Sequence, residues 1–167
     1  MRILGIDPGY AIMGWGIIDM KGNNFKAIAY DSLTTDSKTP KAERLKQLYD
    51  GLNEILDEYK PQAVAIEELF FNTNSKTVIM VGEARGIALL ACANKNVPIY
   101  EYTPLQIKQG LVGYGRAEKK QVQNMVKTIL NLEKVPKPDD TADALAAAIC
   151  HGHSANYINR MGKLRLK

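Results

Sequence analysis

Short apolar runs broken by turn residues open the chain, and a spacing of apolar residues by threes and fours follows them. The change of period marks the passage from strands to helices. Arg2 to Asp7, Gly14 to Asp19 and Phe25 to Leu33 read as three strands, separated by the turn signals Asp7-Pro8-Gly9 and Lys21-Gly22-Asn23. Their short connections make them antiparallel neighbours. From Lys41 to Tyr59, Leu45, Leu48, Leu52, Ile55, Leu56 and Tyr59 recur at helical spacing, and Pro61 ends the helix. Ala63-Val64-Ala65-Ile66-Glu67 is almost wholly apolar, the pattern of a strand near the centre of a sheet covered on both faces. A second long helix is predicted over Asn74 to Asn96, a fifth strand over Ile99 to Tyr102, and three further helices over Leu105 to Val112, Lys119 to Leu130 and Thr141 to Ile158.

Three antiparallel strands followed by alternating helix and strand give an α/β fold: a five-stranded mixed sheet, three strands antiparallel and two further, flanked by helices. That is the ribonuclease-H-like order. With 167 residues and 46% apolar content the chain can bury one sizeable core, so a single domain is expected over residues 1–158, followed by a basic, flexible tail over 159–167. Charge is uneven: residues 1–100 carry 11 Lys and Arg against 12 Asp and Glu, whereas 101–167 carry 11 against 6. A basic surplus favours a polyanionic partner, although it also serves solubility. Cys92 and Cys150 each lie in an alanine-rich helical stretch, where a thiol packs as a small hydrophobe, so no disulfide framework is expected. The first residues form a strand pattern, and nowhere do about 18 apolar residues follow one another. A soluble cytoplasmic protein with no membrane partner is expected.

Four acidic positions carry the candidate chemistry. Asp7 closes the run Ile3-Leu4-Gly5-Ile6, where desolvating an ionised carboxylate is expensive and something must compensate it. Taken alone, Asp7-Pro8-Gly9 is equally a turn whose side chain bonds its own backbone. Glu67 repeats the situation at the end of Ala63 to Ile66. Neighbouring strand residues face opposite ways, so only one of Glu67 and Glu68 can enter a common site, and periodicity does not choose between them. Asp139, Asp140 and Asp143 open the alanine-rich helix. Acids in a first turn ordinarily cap amides and complement the helix dipole, and Asp143 fits that explanation less well. It lies three residues from Asp140 and four from Asp139, so either pair shares a helical face. Should that helix cross the strand ends, the acids meet in one pocket, and each close pair of like charges costs on the order of a few kcal/mol at an effective dielectric near 20. A divalent cation removes that conflict. Oxygen-only ligands favour magnesium or manganese over zinc. Cys150-His151-Gly152-His153 is too closely spaced to converge on a metal from a helix and reads as a helix end, with the histidines at most at the edge of the site.

These acids, with Gly110 to Lys120, resemble the RuvC family of Holliday-junction resolvases over nearly the full length, from about Arg2 to Ile158. The matching pieces are Gly5-Ile6-Asp7-Pro8-Gly9, Ala65-Ile66-Glu67, Gly113-Tyr114-Gly115-Arg116-Ala117-Glu118-Lys119 and Asp140-Thr141-Ala142-Asp143-Ala144-Leu145-Ala146. Each is weak alone; their order and spacing together are specific. The resemblance implies Asp7, Glu67, Asp140 and Asp143 as the catalytic and metal-holding residues, which chooses Glu67 over Glu68 and Asp140 over Asp139. It further implies that Lys108 and Lys119 contact the junction and that Phe70 stacks on a base near the crossover, with Arg116 and Lys120 as further DNA-binding candidates. Without the resemblance, a Phe-Phe pair is more often core, a Lys pair is a solvated helix start, and the glycines of Gly110 to Gly115 mark simple turns as readily as phosphate contacts. Asp139 and Glu68 stand beside the expected acids as additions.

What the resemblance implies for function is a homodimer that nicks two opposed strands of a four-way junction beside the RuvA and RuvB branch-migration proteins. Two Mg2+ ions per site, replaceable by Mn2+, would hydrolyse the phosphodiester and leave 5'-phosphate and 3'-hydroxyl ends. Three rivals remain at the level of sequence. Asp7-Pro8-Gly9 followed by Gly14 is like the first phosphate loop of actin-like ATPases, which need two such domains where this chain has one. A non-catalytic junction-binding module would have no use for all four acids. A ribonuclease H proper would cut RNA in an RNA-DNA hybrid.

Overall fold

The computed structural model describes residues 1–68 and 75–165, with side chains over 1–68 and 78–155. Its sheet holds β1 (Arg2–Asp7), β2 (Ile12–Lys21), β3 (Asn24–Thr34), β4 (Ala63–Glu67) and β5 (Ile99–Tyr102) in the order β3-β2-β1-β4-β5. The first three strands are antiparallel; β4 lies parallel to β1, and β5 parallel to β4. The helices are α1 (Lys41–Tyr59), α2 (Ser75–Asn94), α3 (Pro104–Val112), α4 (Lys119–Ile129) and α5 (Asp139–Arg165). The mixed, helix-flanked sheet expected from the sequence is the one observed.

The strand period of two sorts the core into two layers. Ile3, Ile18 and Ala65 face α3, α4 and α5, packing with Ile107, Val122, Val126, Leu145 and Ile149. Leu4, Ile6, Ile17, Val64 and Ile66 face the other way, toward Leu48 and Leu52 of α1 and Ala84 and Ala88 of α2. Both faces of β1 and β4 are therefore covered, which is why these strands read as continuous apolar runs. Each Leu or Ile buried this way contributes about 1.5–3 kcal/mol. Cys92 and Cys150 are buried free thiols, and burial pushes them up to about 12 and about 11, as expected of packing residues.

Close approach of α5 to the sheet depends on three glycines. A Cβ at Gly5 would sit 1.9 Å from the Ala144 carbonyl oxygen, one at Gly14 2.0 Å from that of Asp140, and one at Gly16 2.4 Å from Leu145 Cδ2. Helix backbone thus rests directly on strand backbone. The Thr141 hydroxyl, fully buried, donates to the Asp31 carbonyl of β3 at 3.2 Å and fixes the first turn of α5 against the sheet.

Boundaries differ from expectation in the β2–β3 hairpin, in α5 and in α3. β2 and β3 pair from Ile12↔Thr34 to Lys21↔Asn24, longer than the strands anticipated: β2 takes in the apolar Ile12, Met13 and Met20, and hairpin pairing adds Lys21, Asn24 and Thr34. The helix expected over Thr141 to Ile158 starts at Asp139 and continues to Arg165, so the tail placed after Ile158 is helical up to that residue. No proline interrupts it, and Arg160, Met161, Lys163 and Leu164 are good helix formers. α3 opens one residue before its expected start because Pro104 suits a first helical position and Thr103 forms a capping box with Gln106.

Candidate active site

Strand alternation decides which acids can meet. Asp7 follows Ile3 and Gly5 on the face that packs against α5, and Glu67 follows Ala65 on the same face. Gly5 pairs with Ala65 and Ile6 with Ile66, so Asp7 and Glu67 end adjacent parallel strands side by side. Glu68 belongs to the opposite alternation and is exposed, its amide donating to the Tyr102 carbonyl at 2.8 Å. Asp7 also pairs across β2 with Gly14, the glycine on which the Asp140 carbonyl rests. One contact therefore carries the first turn of α5 to the strand ends.

The electrostatics show the acids acting on one another. Burial, then the charges of Glu67, Asp143 and Asp140, push Asp7 up to about 8, with Lys119 opposing. Burial and Asp143 raise Glu67, against Lys119 and Lys108. Burial raises Asp143 as well, helped by Asp139 and Asp140 and opposed by its bond to Lys119. Such mutual elevation is the signature of too many negative charges in too little water. The Lys119 ammonium answers part of it, at 2.9 Å from Asp143 Oδ2 and 3.6 Å from Asp139 Oδ2. Asp139 is more exposed and turns to Lys137 as well, and these partners hold its carboxyl below the ordinary range. Asp139 and Asp140 thus separate: Asp140 acts on Asp7, whereas Asp139 faces the lysines.

Glu67, Lys108, Lys119 and Asp143 line a cleft of about 210 Å³ with Pro104, Ile107, Val122 and Ala146. Among the described residues no three His, Cys, Asp or Glu side chains are drawn together as tightly as a bound cation would draw them. The donor set nevertheless fits a hard divalent ion: carboxylate oxygens only, part buried, and crowded enough to raise Asp7, Glu67 and Asp143. Asp7, Glu67, Asp140 and Asp143 are the residues that would hold it. A larger cleft of about 780 Å³ opens among Arg2, Asp19, Lys21, Glu58 and Lys60, where Arg2 and Asp19 neutralise each other at 2.9 Å, and none of the four acids reaches it.

The remaining candidates fall in different places. Lys108 and Lys119 share the cleft, while Arg116 and Lys120 are exposed and do not line it. Phe70 lies outside the described residues. Both histidines have structural partners: His151 is buried with Nδ1 2.7 Å from the Tyr102 hydroxyl, and His153 Nδ1 lies 2.8 Å from the Gly110 carbonyl. The Gly110 to Gly115 glycines are accounted for by packing and capping. Gly110 faces Cys150 Sγ, Gly115 faces Leu105, and Gly113 takes a φ of 87° to end α3. Sequence reasoning passed over Gly14 and Gly16 as packing surfaces. Two glycines on one face of a strand are the signal that a backbone comes close there.

Comparisons with known proteins point to one family. The family model "Crossover junction endodeoxyribonuclease RuvC" matches residues 3–151. A protein of that description from Caldanaerobacter subterraneus subsp. tengcongensis is 60% identical over 162 residues, covering 97% of this chain and 98% of its own length. Another from Alkaliphilus oremlandii is 63% identical over 157 residues, covering 94% and 96%. Among solved structures, the Thermus thermophilus RuvC in complex with Holliday junction substrate superposes with a TM-score of 0.90 at 37% identity, covering 94% of this chain and 96% of that one.

Proposed function

The chain belongs to the RuvC family of crossover junction endodeoxyribonucleases, and on that premise we propose that it resolves Holliday junctions by nicking two opposed DNA strands, with Asp7, Glu67, Asp140 and Asp143 at the reacting phosphate. One observation carries the site assignment: Asp7 and Glu67 end adjacent strands on the face that α5 crosses, where Asp143 acts on both and Asp140 on Asp7. As a family nuclease it depends on a divalent metal; Mg2+, two ions per site with Mn2+ as substitute, suits the oxygen donors. A divalent ion held by Asp7, Glu67, Asp140 and Asp143 would supply activation of water and charge for the leaving 3'-oxygen.

The chain's own part is to gather and orient. Strand backbone fixes Asp7 and Glu67 and the seating of α5 on Gly14 and Gly5 fixes Asp140 and Asp143, so side chains rather than backbone have to close on a bound ion. Lys108 and Lys119, on the wall of the same cleft, attract the phosphate that the acids alone would repel. Arg116, Lys120 and Phe70 extend the DNA contact. Residues 1–158 act as one nuclease domain. The products are 5'-phosphate and 3'-hydroxyl ends that a ligase can rejoin.

A homodimer suits a substrate with two equivalent strands to cut, because an isologous pair presents two identical sites. α2 offers a face for it: Ile79 and Leu90 are 60% and 51% exposed, and a Cβ added at Gly82 or Gly86 between them would meet nothing within 4 Å. RuvA and RuvB are the partners expected at the junction, in the cytoplasm; no helix among the described residues is long and apolar enough to cross a membrane. The test is a nicking assay on a fixed four-way junction beside linear duplex and an RNA-DNA hybrid. Paired, Mg2+-dependent cuts in the junction alone are expected. Preferential cutting of the hybrid would overturn the reading.

A further inference from the structure

Lys119 occupies an unusual position for a DNA contact, because its ammonium is already spent on the acids. It bonds Asp143 Oδ2 at 2.9 Å and has Asp139 Oδ2 at 3.6 Å, and its side chain is 56% exposed. Two carboxylates of different standing thus share one lysine. Asp143 is part buried and belongs to the group crowding Asp7. Asp139 is more open, is absent from the charges that crowd Asp7, and is bonded by Lys137 as well.

We propose that Lys119 is an exchangeable counter-ion, displaced from Asp143 by the divalent cation entering the acidic cluster, retained beside the site by Asp139, and so delivered to a DNA phosphate only when the metal is in place. The inference rests on the metal reading of the four acids given above. Its physical basis is competition at a single carboxylate. A dication offers Asp143 twice the charge of an ammonium and can satisfy Asp7, Glu67 and Asp140 at the same time, which one ammonium cannot. Once it is there, Lys119 feels repulsion from the ion and has Asp139 within a small side-chain rotation. The four-carbon stem at the exposed start of α4 permits the swing without moving backbone. Asp139 thereby acquires a use that the acidic site itself does not give it. It is a positioning residue, acting through Lys119.

The exchange can be read without cleavage by titrating Mn2+ into the DNA-free protein and following free Mn2+ by electron paramagnetic resonance. Lys119→Met should bind Mn2+ about tenfold more tightly than wild type, within the usual range of coupling between two ligands. Lys119→Arg, which keeps the competing charge, should stay near wild type. Asp139→Asn should weaken binding in the wild-type background and do so distinctly less in Lys119→Met, because a retention site matters only while there is a lysine to retain. Unaltered or weaker binding by Lys119→Met would overturn the exchange while leaving the metal site standing. Equal effects of Asp139→Asn in both backgrounds would reduce Asp139 to a distant charge and overturn its retention role. Failure of wild type and variants alike to bind Mn2+ would take the metal reading down as well.

Discussion

Asp7 sits where an ionised side chain is least favoured, beneath α5 and among three other carboxylates, and burial with those neighbours pushes it up to about 8. In the unfolded chain it titrates near 4. A group raised on folding contributes stability fully below its unfolded value and loses it as pH climbs through its folded value, so the wild type loses stability between about pH 4 and pH 8. Glu67 and Asp143 are raised in the same direction. His151 runs oppositely, since burial lowers it, but its contribution cancels between wild type and a variant elsewhere. Asp7→Asn should therefore melt several degrees above wild type near pH 8 without added divalent cation, each kcal/mol being worth about 2–4 °C at this size, and the gap should close toward pH 4. Circular-dichroism melts across that range check it; coincident melting at pH 8 would contradict the burial of a charge there. That Asp7 needs a compensating partner is legible in the sequence, since it ends the apolar run Ile3-Leu4-Gly5-Ile6. The coupling that makes it matter is not, because it needs the positions of Glu67, Asp140 and Asp143 in space.

At the scale of elements, most of the fold follows from local pattern. α1 and β4 occur where the spacing of Leu48, Leu52 and Leu56 and the run Ala63 to Ile66 place them. The ends of β2, β3 and α5 do not, because they are set by hairpin pairing and by continued helix propensity past Ile158, neither of which a change of hydrophobic period marks. Alanines around Asp143 signal a close helix, but the sheet's half of that contact is in Gly5, Gly14 and Gly16, whose role appears only when β1 and β2 pair. Gly14→Ala puts a methyl 2.0 Å from the Asp140 carbonyl oxygen, which α5 backbone must yield to. It should cost about 1–3 kcal/mol in a urea titration and lower cutting by moving Asp140 and Asp143 away from Asp7. Wild-type stability and cutting in Gly14→Ala would show that α5 is not seated as described.

Across the whole molecule, one face of one sheet carries the clustered acids and the other carries the exposed helix. The acids gather where β1 and β4 end under α5, while α1 and α2 cover the opposite face and leave Ile79 and Leu90 outward. The basic surplus after residue 100 is seen in the sequence, and the fold brings two of its members, Lys108 and Lys119, to the acidic cleft. Composition alone does not give that placement, since it depends on α3 and α4 packing beside α5. The proposed division, with DNA held by the lysines on the wall and cut at the carboxylates in the centre, means that the two functions should separate. Asp7→Asn, assayed on a synthetic four-way junction in Mg2+, should bind the junction about as tightly as wild type while its nicking falls to background. Undiminished nicking by that variant would contradict the assignment of the four acids.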